Sequence, residues 1–191
     1  MRARVTRACI SSRDKAKSGD VLVGWKDLEW LRGRWRGKLV VKGAMMPADC
    51  LNAVECGADA IMVSNHGGRQ LDGTGAPIDY LPAIRDRIQD RAQLIADGGV
   101  RRGTHVLKAI ALGADGCSIG RPYLYGLAAG GQAGVERALA LFRAEIGRDM
   151  ALMGRTRVPD ITSSDIHRLG EFQREPGQSP PVTLLRSRGP R

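Results

Sequence analysis

Ala60-Ile61-Met62-Val63-Ser64-Asn65-His66-Gly67-Gly68-Arg69-Gln70-Leu71-Asp72-Gly73 turns from an apolar run to a polar, glycine-rich one within a few residues. The run Ala60–Val63 predicts a short buried strand. Beyond it the chain is expected to stay irregular through Pro77, and a loop that long in a compact domain usually has a function. Gly67, Gly68, Gly73 and Gly75 allow the backbone to approach a ligand closely. His66 and Arg69 place a possible general base three residues from a planar fork suited to carboxylate. A solvated imidazole and guanidinium would look the same in isolation, so the meaning of the loop depends on its surroundings.

On the amino-terminal side, Trp25–Leu31 predicts a helix with Leu28, Leu31 and Trp35 near one face. Trp25, Trp30 and Trp35 are most simply packing residues, with nucleic-acid stacking beside Arg32, Arg34 and Arg36 as the alternative. Leu39–Val41 predicts a strand ending at Lys42-Gly43. Pro47 suits the first turn of a helix that stops at Gly57. On the carboxyl side a helix is expected from about Tyr80 to Ile88, with Leu81, Ile84 and Ile88 on one side. A strand over Gln93–Ala96 ends at Asp97-Gly98-Gly99. Thr104 is the expected cap of a helix over Val106–Leu112. A strand over Gly116–Ile119 ends at Gly120-Arg121-Pro122. A long helix over Val135–Met153 carries Val135, Leu139, Phe142, Ile146 and Met150 at helical spacing.

The order is a strand and a helix repeated four times, then an extra helix. Cys56-Gly57-Ala58-Asp59-Ala60 and Leu112-Gly113-Ala114-Asp115-Gly116 echo one another where a helix leads into a strand. Short strands that are apolar on both faces are parallel strands covered by helices. Such alternation builds a doubly wound sheet or a barrel. Lys42, Ser64-Asn65-His66, Asp97 and Gly120-Arg121 all lie just past the carboxyl ends of strands, which is the catalytic rim of a (β/α)8 barrel. Gly98-Gly99-Val100-Arg101 and Gly120-Arg121 follow the last two strands, where barrels commonly hold phosphate; backbone N–H groups and arginines there suit an anion.

The 191 residues suffice for one sizeable core, and no apolar run approaches a membrane span. The formal net charge of +10 is concentrated at the ends, in Arg2, Arg4, Arg7 and Arg13 and in Arg186, Arg188 and Arg191. That is the pattern of basic tails more than of a basic binding face. Cys9, Cys50, Cys56 and Cys117 contain no Cys-x-x-Cys pair, so no metal site is expected and a reducing compartment is. The division expected is a disordered basic leader over 1–20, a half-barrel over 21–160 and a flexible basic tail over 161–191.

Val41-Lys42-Gly43, Ser64 through Asp72, Asp97-Gly98-Gly99-Val100-Arg101-Arg102-Gly103 and Ala111-Leu112-Gly113-Ala114-Asp115 through Gly120-Arg121-Pro122 together resemble the FMN-dependent α-hydroxy-acid dehydrogenases and oxidases. That family includes L-lactate dehydrogenase, glycolate oxidase and mandelate dehydrogenase. The resemblance runs from about Trp25 to Ile161, with the motif spacing kept. The segments Leu124–Leu127 and Gly131–Val135 lean toward the lactate and mandelate dehydrogenase branch. It implies an α/β fold equal to the carboxy-terminal half of a (β/α)8 TIM barrel, four parallel βα units plus a C-terminal helix. A complete barrel has about eight strands and 250 residues. His105 departs from the resemblance, which has an acidic residue there.

The roles implied are as follows. His66 is the base that takes a proton from a 2-hydroxy acid, and Arg69 grips the substrate carboxylate. Lys42 sits at the polar edge of the flavin, Ser64 bonds it, and Asp97 meets the ribityl hydroxyls. Gly98, Gly99, Val100, Arg101, Gly120 and Arg121 hold the FMN phosphate. The partners implied are a small 2-hydroxy-acid substrate, an electron acceptor (quinone, cytochrome or oxygen), and another copy or a complementing half-barrel. No specific nucleic acid is expected, and the expected location is cytoplasmic or peripheral to the inner membrane. Two alternatives stand beside this reading. One is another phosphate-binding barrel enzyme like inosine-monophosphate dehydrogenase. The other is a non-catalytic basic fragment that binds RNA or acidic lipid through its tails.

Overall fold

The computed structural model describes residues 24–167; the leader expected over 1–20 and most of the expected tail lie outside them. Strands β1 (Val40–Lys42), β2 (Ala60–Ser64), β3 (Gln93–Asp97) and β4 (Gly116–Ser118) form one sheet in the order β1-β2-β3-β4, every pair parallel. Helices α1 (Trp25–Arg34), α2 (Pro47–Glu55), α3 (Pro77–Ile88), α4 (Gly103–Ala111) and α5 (Arg121–Leu152) complete the fold. A doubly wound sheet reverses its strand order at a switch point. Here the order never reverses, and successive right-handed crossovers then put every connecting helix on the same face. The sheet is therefore singly wound, as a barrel wall is.

Alternation along the strands sorts the two faces. Val41, Ile61, Val63, Leu94 and Ala96 are buried against the helices in one core with Cys50, Ala53, Leu81, Ile84 and Ile88. The three α3 residues follow the predicted helical spacing and are fully buried. The opposite face carries Val40, Met62 and Ile95, all half-buried, and a polar row at its carboxyl edge. Register aligns Ser64 with Asp97 and Asp97 with Ser118, while Lys42 pairs with Met62 one step below. A smaller core joins Leu107, Ala111 and Ile161 with Ile146 and Met150 of α5. Ile161 is buried and the Arg155 guanidinium binds the Asp165 carboxylate at 2.6 Å, so the packed part of the chain continues past residue 160.

Several local expectations are corrected. Helix α3 starts at Pro77, which takes the N-terminal position, so Pro82 falls inside it. Helix α4 starts at Gly103, which places Thr104 within its first turn where it cannot cap. The cap comes instead from α5: the Gly103 N–H donates to Glu145 Oε2 at 2.7 Å. A Cβ on Gly103 would come within 2.7 Å of the Ile146 backbone nitrogen, so glycine is what lets the two helices touch. The last helix begins at Arg121, not Val135, and breaks at Gly130–Gly131, where Gly131 takes φ +58°. The two arms meet backbone to backbone at Gly126 and Gly134, where any Cβ would collide with the other glycine's carbonyl. Leu139, expected in the packed stripe, is exposed. The tryptophans divide: Trp35 packs on the core, whereas Trp25 and Trp30 are exposed and Arg34 stacks on the Trp30 ring at 4.1 Å. Five-residue spacing turns successive helix positions by about 140°, so the three rings cannot share a face.

Candidate active site

The carboxyl edge of the sheet opens into a cleft of about 570 Å³. Lys42, His66, Arg69, Asp97, Gly98, Gly99, Val100, Arg101, Gly120 and Arg121 all line it. They come from four different strand ends, and the parallel register brings those ends side by side. Ser64 is the exception. It is buried beneath the rim, where its Oγ donates to Asp97 Oδ2 at 2.6 Å and accepts from the His66 N–H at 3.1 Å. Its hydroxyl ties the loop to the Asp97 carboxylate and so positions both.

Asp97 is the hub of the polar row. Lys42 reaches across β2 to place Nζ 2.8 Å from Asp97 Oδ2, and Ser118 adds a hydrogen bond from the other side. Burial pushes the Asp97 carboxyl up, but the hydrogen bonds from Lys42, Ser64 and Ser118 and the Lys42 charge outweigh it. The result lies below the ordinary value of 3.8. Asp97 is therefore a carboxylate, and the ammonium of Lys42 is anchored at the cleft floor. Sequence reasoning missed Ser118. Its signal was parity: Ser64, Asp97 and Ser118 are register partners on one face.

The loop after β2 is set by its own backbone. Asn65 Oδ1 accepts from the Gly67 N–H at 3.0 Å, and the Asn65 carbonyl accepts from Gly68 N–H at 3.0 Å. This makes a tight turn over His66–Gly68 in place of the featureless loop expected. His66 takes φ +54°, which is rare outside glycine. Its ring lies against Gly43, a residue at φ +101° whose Cβ would stand 2.7 Å from His66 Cε1. Gly43 is thus the second residue missed; its signal was only the Lys42-Gly43 strand end. His66 Nε2 is buried with no hydrogen-bond partner among the described residues. Buried nitrogens are normally paired, so this one has capacity for a group that the described chain does not supply.

On the far side of the cleft, Arg101 and Arg121 are exposed cations. Gly98 and Gly99 take φ +129° and +74°, and a Cβ at Gly99 or Gly120 would project into open space. The start of α5 at Arg121 adds a helix N-terminus. The N-terminus of α4 is already taken by Glu145, so an anion is left to the Gly99–Arg101 loop and Gly120–Arg121. Two cations and glycine backbone at one end of the cleft, and the Lys42 ammonium held by Asp97 at its floor, fit a group that carries a phosphate and a polar, electron-accepting part. No cluster of His, Cys, Asp and Glu able to hold a metal occurs among the described residues, and none of their helices is long and apolar enough to cross a membrane.

Comparison with known proteins agrees with this geometry. The sequence model of a family described as FMN-dependent dehydrogenase matches residues 4–168. The chain is 46% identical over 154 residues to an L-lactate dehydrogenase of Xanthomonas campestris pv. campestris, covering 81% of this chain and 40% of that protein. It is 50% identical over 143 residues to an L-lactate oxidase of Nostoc sp. strain PCC 7120, covering 75% and 39%. Among solved structures, the monotopic membrane protein (S)-mandelate dehydrogenase superposes with a TM-score of 0.75 at 35% identity, covering 85% of this chain and 44% of that one. A mandelate oxidase variant with a monooxide FMN adduct superposes with a TM-score of 0.71 at 40% identity, covering 73% and 44%. The chain spans about two fifths of the length of the curated relatives it matches, and its four βα units are part of their TIM-barrel fold. By its motifs, its singly wound sheet and its rim, the chain belongs to the FMN-dependent dehydrogenase family.

Proposed function

We propose that this chain carries the catalytic rim for oxidation of a 2-hydroxy acid of the L-lactate kind to the 2-oxo acid, and acts when the rest of the barrel completes the cleft. The observation that carries the reading is the gathering of Lys42, His66, Arg69, Asp97, Arg101 and Arg121 around one cleft. FMN, when bound, supplies the acceptor for the two electrons. His66 takes a proton from the substrate through Nε2, the nitrogen that has no hydrogen-bond partner among the described residues. Arg69 holds the carboxylate in a planar fork and so fixes the reacting carbon. Lys42, held by Asp97, presents fixed positive charge to the polar edge of the flavin. Asp97 also accepts from the ribityl hydroxyls. Gly98, Gly99, Val100, Arg101, Gly120 and Arg121 bind the phosphate. Ser64, assigned to the flavin by resemblance, also holds Asp97 and the His66 backbone. The electron acceptor is a quinone, a cytochrome or oxygen, and the location is cytoplasmic or peripheral to the inner membrane.

The test is His66→Gln in an enzyme completed with the amino-terminal half of a relative. Loss of a general base costs roughly 10²–10⁴-fold, so kcat should collapse by that factor while bound flavin absorbance is unchanged. Near-normal turnover of every 2-hydroxy acid the parent oxidises would overturn the assignment. Arg69→Lys keeps the charge but loses the fork, and should raise KM as well as lower kcat.

A further inference from the structure

Each strand end contributes one polar side chain to the cleft floor: Lys42 from β1, Ser64 from β2, Asp97 from β3 and Ser118 from β4. Three of them act on the fourth. Lys42 Nζ and Ser64 Oγ both approach Asp97 Oδ2, at 2.8 Å and 2.6 Å, from the β1–β2 side. Ser118 is the register partner of Asp97 on the opposite side, and its hydroxyl donates to the same carboxylate.

The terminal torsion of an aspartate is broad, so a carboxylate held from one side is free to turn. A carboxylate has about four acceptor positions, and the cleft offers other cations to fill them. Among the described residues that line it, Asp97 is the only acid, facing Lys42, Arg69, Arg101 and Arg121, with His66 beside them. A neutral donor on the β4 side satisfies the carboxylate without a second cation and leaves its charge to Lys42. Burial raises the Asp97 carboxyl, yet the donors from Lys42, Ser64 and Ser118 bring it below 3.8.

We infer that Ser118 is a positioning residue that acts through Asp97 to hold the Lys42 ammonium at the cleft floor. Its consequence for an electron-accepting group rests on the reading of Lys42 as the charge that faces the flavin.

The experiment uses the full chain without ligand and reads two quantities. One is the Asp97 titration midpoint, from side-chain carboxyl carbon resonances. The other is the rate at which a small amine-acylating reagent labels Lys42 near neutral pH, read by peptide mass spectrometry. The Lys42 side chain is 22% exposed, so the reagent can reach it. Ser118→Ala removes one hydrogen bond to a charged group. It should raise the Asp97 midpoint by about one pH unit, tenfold in proton affinity, and speed Lys42 labelling by about three- to tenfold. Ser118→Thr keeps the hydroxyl and should stay near the parent in both. Ser118→Val matches the bulk of threonine without the hydroxyl and should behave as Ser118→Ala does, which keeps the comparison available if the alanine variant unfolds. Asp97→Asn should speed Lys42 labelling, and adding Ser118→Ala to it should change nothing further, because residues that act through one partner are not additive.

An Asp97 midpoint or a Lys42 rate that ignores the loss of the hydroxyl overturns the inference and leaves the flavin reading of Lys42 intact. So does an effect of Ser118→Ala that persists in full beside Asp97→Asn, because Ser118 then reaches Lys42 by another route. In an enzyme completed with the amino-terminal half of a relative, Ser118→Ala should also lower the flavin potential. A potential that stays fixed while Lys42 is freed sinks the flavin reading of Lys42 and the consequence drawn from it.

Discussion

His66 combines a left-handed backbone, a ring pressed on Gly43 and a buried nitrogen without a hydrogen-bond partner among the described residues. Each is unfavourable alone, and such strain persists only where the surroundings over-determine it. Gly43 is the weak point of that arrangement. Gly43→Ala puts a methyl group where the imidazole lies and forces φ +101° on a residue with a Cβ. It should lower stability by about 1–3 kcal/mol and shift the His66 ring resonances, read by denaturant midpoint and NMR. An unchanged midpoint with unchanged His66 signals would show that Gly43 does not shape the ring's seat. Asp97 makes a pH prediction at the same scale. Its folded value is depressed below 3.8, so its contribution to stability is full above that value and is lost as pH falls through the folded one. Asp97→Asn should flatten this part of the acid limb of an unfolding-midpoint profile. An acid limb identical to the parent's would mean that Asp97 is not depressed.

At the scale of elements, the sequence echo at 56–60 and 112–116 is the trace of one device used twice. Arg32 of α1 donates to the Gly57 carbonyl and to Asp59, and Asp59 Oδ2 accepts from Leu39 N–H at 2.8 Å. Arg85 of α3 donates to the Gly113 carbonyl and to Asp115, and Asp115 Oδ2 accepts from Leu94 N–H at 2.7 Å. Both glycines lack the Cβ that would strike the arginine stem. Each device ties a helix to the amino ends of two adjacent strands, opposite the rim, where stability and not chemistry is expected. Arg85→Ala strands the Gly113 carbonyl and the Asp115 carboxylate and should cost about 1–3 kcal/mol. The partial exposure of Asp115 keeps the value toward the lower end. Arg32→Ala should cost a similar amount, and chemical denaturation of both variants checks the equivalence. Glu145→Ala removes the only side-chain cap seen on α4 among the described residues and should cost about 1 kcal/mol.

At the scale of the whole molecule, the described chain presents an unfinished wall. β1 and β4 are edge strands of three residues each, with open backbone groups. Val40, Met62 and Ile95 are half-exposed on the face opposite the helices, and Leu139, Leu141 and Leu152 of α5 are exposed. Apolar surface left in water favours association. The chain also spans only about two fifths of the length of its curated relatives. The chain by itself should therefore be colourless after purification and prone to self-association, as seen by absorbance and light scattering. A monodisperse yellow monomer with stoichiometric flavin would contradict this.

The sequence by itself determined the alternation of four strands with helices, the glycine stops and the residues on the rim. These depend on periodicity and turn chemistry acting over a few residues, and they survive whatever the chain packs against. The loop motif around His66 and the phosphate motifs also identified the family before any geometry was known. Only the tertiary structure decided the rest. Strand order distinguished a barrel wall from a doubly wound sheet, because both share the same alternating pattern. The Lys42–Asp97–Ser64 cluster joins residues as far apart as 55 positions (97 minus 42), and it exists only once the register puts three strands side by side. The cap from Glu145 and the Gly126–Gly134 contact arise in the same way, from surfaces that meet after folding. Thr104 misled because a capping residue is recognised by where the helix starts, and packing against α5 moved that start to Gly103. Local energies of a kcal/mol or so choose among turns and caps, but the burial of Ile61, Leu81, Ile84 and Leu94 in one core decides where those turns and caps end up.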